Sequence, residues 1–385
     1  MHRHLRQRSG EEQAATYLEL FFDLVFVFAV TQLSHHLVAH LDLRGVGETL
    51  LLLLVVWWAW IYTAWMTNWF DPDAVPVRLV LIAVMLASLL MAIAIPDAFG
   101  DRALLFAGAY AALQLVRNAF IVWAAAPRSD LRRTFARMLA WSAWVSAIWV
   151  AGALAPDDWR IPIWLVALLC DYLGPYAGYR TPGLGRSRTT DWEIEGGHFA
   201  ERFQLFVIIA LGESIVVTGA TAADLGLDAG TVAALAVCFV GSAALWWLYF
   251  DAVARHSRER LRHAEDRGRL ARDAFTYLHV PIVAGIIASA VADEITIAHP
   301  GAEPDAMAAA MLVGGPLLYL LGHQLFRLRM IGSVSRARVV AMAALALLAP
   351  FATAMPALAA AAAATLVLCT TAAVETLGRS RGRYG

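Results

Sequence analysis

The residues best able to do chemistry in this chain are charges set on apolar helices. ELFFDLVFVFAVTQLSHH, from Glu19 to His36, places Glu19 and Asp23 in the first turns of a membrane-length segment. HFAERFQLFVIIALGES, from His198 to Ser214, puts His198, Glu201, Arg202 and Glu213 on another. A charge at the bilayer centre costs about 2.5–3.5 kcal/mol on insertion scales, so such residues face a protein interior or a water path. At 100° per residue, Glu19, Asp23, Thr31 and Ser34 fall on an arc of about 120°, and His198, Arg202 and Glu213 on one of about 60°. Glu213 lies roughly 18 Å along the helix from Glu201, at a depth where a carboxyl could hold a proton or coordinate a cation. Three further candidates stand on other apolar segments. Arg117 sits at a depth where it could meet Asp23 or Glu19. Asp171 stands beside Gly174 and Pro175, a pair able to break a helix and free carbonyls, and His323 aligns with Arg117 in the repeat described below.

These residues line a path or a binding site more readily than they catalyse. There is no phosphate-cradling glycine loop, no nucleophile elbow and no zinc signature, so no catalytic residue and no cofactor is expected. His35, His36 and His40 cluster at one end of the first segment, too few for a metal site. Cys170, Cys238 and Cys369 are unpaired in spacing and lie in apolar segments.

The elements that must position these groups are membrane helices. The chain is 60% hydrophobic and 16% charged, against about 25% charge in an ordinary soluble protein. Its mean hydropathy is +0.61. Segments of about 20 apolar residues recur at 17–40, 49–70, 77–96, 103–125, 135–155, 160–179, 198–220, 229–251, 273–295, 306–327, 338–355 and 357–377. The last two are separated only by Pro356. The basic start, MHRHLRQRSGEEQ, leads into the first segment with no cleavable signal, so that segment is expected to serve as its own insertion signal.

Every one of the 30 basic residues is Arg. With a cytoplasmic N-terminus, 25 fall in inside segments and only Arg44, Arg102 and Arg160 in outside loops. That asymmetry predicts about twelve spans with both termini cytoplasmic. Seven arginines crowd the loop from Arg255 to Arg272, expected to fix topology and to touch anionic lipid; nucleic acid is not needed to explain them.

The pattern also recurs. Glu19-Leu-Phe21 matches Glu201-Arg-Phe203, Trp69-Phe-Asp71 matches Tyr249-Phe-Asp251, and GAYAALQLVRNAF (Gly108 to Phe120) matches GGPLLYLLGHQLF (Gly314 to Phe326). The expectation is an all-α integral membrane protein of two tandem six-helix repeats in the same orientation. Its parts are a cytoplasmic tail (1–16), the first repeat (17–180), a cytoplasmic linker (181–197), the second repeat (198–378) and a C-terminal tail (379–385).

ELFFDLVFVFAVTQLS, the Trp-rich second segment ending in NWFD, and HFAERFQLFVIIALGES resemble the low temperature requirement A (LtrA) family of bacterial membrane proteins. The resemblance covers most of the chain. It implies a multi-pass protein of the bacterial cell membrane and favours Glu19, Asp23, Glu201, Arg202 and Glu213 as the residues that matter. The leading functional expectation is a transporter or channel for a small ion or solute. The alternatives are a membrane-embedded lipid-modifying enzyme using His198, Glu201 and Glu213, and a structural or sensory protein supporting growth in the cold. Membrane lipids are the partners expected in every case.

Overall fold

The computed structural model describes residues 5–6, 14–126, 129–192, 194–226, 228–251, 260–261 and 263–380. Much of the seven-arginine loop (252–259 and 262) and most of both tails lie outside the described residues. Most of the described residues are helical. In chain order the long helices are α1 (Tyr17–Ala39), α2 (Leu43–Trp69), α3 (Val75–Ala94), α4 (Ala103–Ala124), α5 (Asp130–Leu154) and α6 (Asp157–Leu173). They continue as α7 (Gly196–Leu225), α8 (Ala229–Phe250), α9 (Val280–Ala298), α10 (Ala306–Ile331), α11 (Arg336–Leu348) and α12 (Ala357–Ser380).

Among the described residues, eleven helices are long and apolar enough to cross a membrane. The protein is therefore a multi-pass membrane protein. The exception is α6, at 17 residues, whereas α11 reaches spanning length through the 3-10 stretch that carries it on to Ala354 (19 residues in all). Pro356 does divide the last two segments. Met355 before it is extended (φ −138°, ψ 157°), as steric clash with a proline ring requires, and the chain leaves the helix there. The first amides of α12 are then satisfied from another loop, with Ala357 N donating to Ala302 O (2.8 Å) and Leu358 N to Pro300 O (3.1 Å). Helix starts follow side-chain caps: Ser129 for α5, Asp228 for α8, Asp305 for α10 and Ser335 for α11.

The chain divides into two compact units. One comprises Met1–Leu33, Thr49–Arg202 and Leu261–Arg272, the other Ser34–Glu48, Phe203–Arg260 and Asp273–Gly385. In the first, α2 is almost wholly buried from Leu51 to Trp69, with Trp57, Trp58 and Trp60 at most 1% exposed. Helix α3 instead turns Leu79, Ile82, Leu86 and Ile93 outward, as a lipid-facing helix would.

In the second unit α9 and α10 pack through glycines. A Cβ on Gly285 would lie 2.5 Å from Tyr319 N, and one on Gly315 would lie 2.7 Å from Ser289 N and Oγ. Small residues let two membrane helices approach this closely and gain dispersion contact. Helices α11 and α12 are tied by charge. Arg338 meets Glu375 with both Nε–Oε1 and NH2–Oε2 at 2.9 Å, and Arg338 NH2 also donates to Leu248 O of α8. Arg338, counted by sequence among the arginines of the inside segments, is fully buried.

Candidate polar core on membrane helices

Helix α1 begins with a capping box. Thr16 N donates to Glu19 Oε2 (2.8 Å) while Glu19 N donates to Thr16 Oγ1 (3.3 Å). The Glu19 carboxylate also accepts from Arg6 (3.4 Å) and meets His198 Nε2 through Oε1 at 2.9 Å. It is fully buried, so its charge must be answered by these partners.

The His198 ring is oriented from behind. Glu195 N donates to Asn68 Oδ1 (2.8 Å), which sets the amide so that Nδ2 donates to Glu195 O (2.9 Å) and faces His198 Nδ1 (3.2 Å). Nδ1 must then accept, and Nε2 carries the proton toward Glu19. The Glu195 carboxylate closes the start of α7, accepting from Gly197 N at 2.9 Å and from His198 N.

One turn along both helices is a second pair. Arg202 NH2 donates to Asp23 Oδ1 at 2.8 Å, and Trp60 Nε1 donates to the same oxygen at 2.9 Å. The guanidinium lies 5.8 Å from the Trp60 ring centroid. Both groups are buried, Asp23 at 2% and Arg202 at 0% exposure. Asp23 Oδ2 and Arg202 Nε and NH1 have no hydrogen-bond partner among the described residues. Each pair joins residues 179 apart in sequence, so along this contact α1 and α7 run in the same direction.

Arg117 does not meet Asp23 or Glu19. It donates to Thr63 Oγ1 (3.2 Å), Ala59 O (3.3 Å) and Gln114 Oε1, and stacks on Tyr62 with 5.1 Å to the ring centroid. The physical reason is local. Gln114 is one turn back on the same helix, and α2 brings the Ala59 carbonyl and the Thr63 hydroxyl oxygen, whose own proton goes to Ala59 O, so the guanidinium is met without a carboxylate. Gln114 Nε2 in turn donates to Tyr110 OH (2.7 Å), which donates to Asp171 Oδ2 (2.8 Å); Trp149 Nε1 donates to the same oxygen (3.0 Å). Arg117 and Asp171 are thereby ends of one hydrogen-bonded chain, with Tyr110 and Gln114 as its links. Those links and Trp149, Trp60, Asn68 and Glu195 escaped the sequence reading. Only the Thr16-x-x-Glu19 box had a signal that spacing alone could have shown.

The remaining candidates are placed separately. Glu201 is partly exposed on α7. Glu213, also on α7, is 1% exposed, next to a buried Ser214. His323 on α10 is fully buried between Tyr319 and Tyr249, with ring centroids 4.5 and 5.4 Å away.

Apolar helices of spanning length around a buried network of Glu, Asp, His and Arg define a multi-pass helical membrane protein with a polar core. The family model described as Bacterial low temperature requirement A protein (LtrA) matches residues 14–373. The chain belongs to that family. It is 39% identical over 322 residues to an uncharacterized protein of Rhizobium meliloti (strain 1021), covering 83% of this chain and 78% of that one. No solved structure matches it.

Proposed function

We propose that this LtrA-family protein is a transporter or channel for a small ion or solute, with the charged residues of α1 and α7 lining its path. The observation that carries this reading is the Asp23–Arg202 pair, buried on membrane helices yet leaving Asp23 Oδ2 and Arg202 Nε and NH1 without hydrogen-bond partners among the described residues. Unmet polar atoms cost about 1–3 kcal/mol each when dry, so the site favours water or a polar ligand beside the pair. Glu213 extends the same helix with a second buried acid. The arrangement as two six-helix repeats of one orientation, with both termini on the arginine-rich cytoplasmic side, belongs to this proposal. It is supported by the parallel run of α1 and α7 and by the skew of arginines to one side.

The test is flux. Purified protein in liposomes should move protons, alkali cations or small metabolites above empty liposomes, and Asp23→Asn or Glu213→Gln should lower that flux by roughly tenfold or more. Absence of flux for all three classes would sink the reading. A second reading is favoured by the cation set against each acid of α1: the pairs are clamps that hold helices together and pass nothing. Under it, the charge swap Asp23→Arg with Arg202→Asp restores function, whereas a path that handles ions asymmetrically does not tolerate the swap.

A further inference from the structure

The second unit contains a small cavity lined by none of the candidate residues described above. It is about 30 Å³ in volume and lies among α8, α9, α10 and α12. A water needs about 10–15 Å³ of such space, so the cavity holds one or two waters or one dehydrated ion. Its lining is unusually rich in oxygen for a membrane bundle: the carboxylate-bearing Asp293 and the hydroxyl-bearing Ser242, Ser289, Thr296 and Thr365. Ser289 and Thr296 donate their protons to Gly285 O (2.8 Å) and Ala292 O (2.7 Å) in their own helix, which leaves their oxygen lone pairs free to coordinate. Thr365 Oγ1 is turned toward α8, 3.0 Å from where a Cβ on Gly241 would stand.

A further oxygen comes from the backbone. Pro316 lies inside α10 and lines the cavity together with Leu312. Proline has no N–H, so the Leu312 carbonyl four residues back loses its normal helical donor at the cavity wall. A carbonyl released within a membrane helix needs another positive partner.

We propose that this cavity is a binding site for one dehydrated monovalent cation of sodium size, held by the Asp293 carboxylate, the Leu312 carbonyl and the surrounding hydroxyls. Carboxylate, carbonyl and hydroxyl oxygens suit hard cations. One carboxylate balances one positive charge, whereas a divalent ion would leave an excess charge in a medium of low dielectric. The small volume excludes a hydrated ion. The inference concerns occupancy and does not depend on whether the protein transports anything.

The test uses full-length protein in detergent, with equilibrium binding of radioactive sodium and thermal unfolding in sodium, potassium or choline chloride. Saturable sodium binding of about one ion per chain is expected, with unfolding shifted upward by sodium and not by choline. Asp293→Asn should abolish saturable binding, and Thr365→Val and Ser242→Ala, which keep side-chain volume nearly unchanged, should weaken it about tenfold each. If Asp293→Asn does not fold, the two hydroxyl variants decide. No saturable sodium binding by the wild type, equal shifts in all three salts, or hydroxyl variants that bind as the wild type does would each overturn the proposal.

Discussion

The two rungs between α1 and α7 differ in how completely they are satisfied, and that difference governs what mutation should do. Glu19 is held by a capping box, a histidine and an arginine, while the Asp23–Arg202 pair keeps unmet atoms on both sides. Removing one partner of a buried ion pair leaves a bare charge, so Arg202→Leu should destabilise the protein by about 3–5 kcal/mol, whereas Asp23→Leu with Arg202→Leu should recover most of that loss. Thermal unfolding of the wild type and of these two variants in detergent checks the expectation. At the neighbouring rung, the Asn68 amide dictates that His198 carries its proton on Nε2. Nitrogen-15 spectra of labelled His198 should show a protonated Nε2 and an accepting Nδ1; the reverse tautomer would contradict the assignment. The acids of this region were legible in sequence because charges stand out on apolar helices. Their partners were not, since Arg117 and Arg202 are equally plausible cations until helix packing chooses between them.

At the scale of elements, caps and close approaches carry the specificity. Gly285 faces the backbone of Tyr319, which cannot move aside as a flexible side chain would. Gly285→Ala should therefore destabilise the α9–α10 crossing by about 1–3 kcal/mol, read as a lower unfolding temperature. The N-cap of α8 adds a pH dependence. The Thr231 backbone N–H donating to the Asp228 carboxylate holds its pKa below the usual carboxylate range. The folded pKa is depressed, so this contribution is present above about pH 4 and is lost as pH falls further. Protection of the first-turn amides of α8 from hydrogen exchange, taken relative to the unfolded-chain rate at the same pH, should fall below that pH in the wild type and lose this dependence in Asp228→Asn. Helix existence was readable from runs of apolar residues. The division between α11 and α12 at Pro356 was readable as a break, but its form came from the extended Met355 and the carbonyls of Pro300 and Ala302.

For the whole molecule, orientation is the property still to be measured. The proposed topology places Gly185, in the loop after α6, on the cytoplasmic side and Asp158, at the start of α6, on the outer side. In a background with Cys170, Cys238 and Cys369 replaced, Asp158→Cys should react with a membrane-impermeant thiol reagent in intact cells, and Gly185→Cys only after permeabilisation. The opposite pattern would invert the topology.

Sequence alone determined the solvent of this protein and the class of its elements. The cost of placing polar backbone in lipid leaves long apolar segments one structure, the helix, and makes every charge on them conspicuous. It also carried family membership, through motifs on α1, α2 and α7. Tertiary structure alone decided the pairings: Asp23 with Arg202, Arg117 with Asp171 through Tyr110 and Gln114, and Arg338 with Glu375. Hydropathy sets the depth of a residue along a helix. Which residues meet at that depth depends on helix rotation and neighbour order, and those are fixed by side-chain packing that no single segment contains.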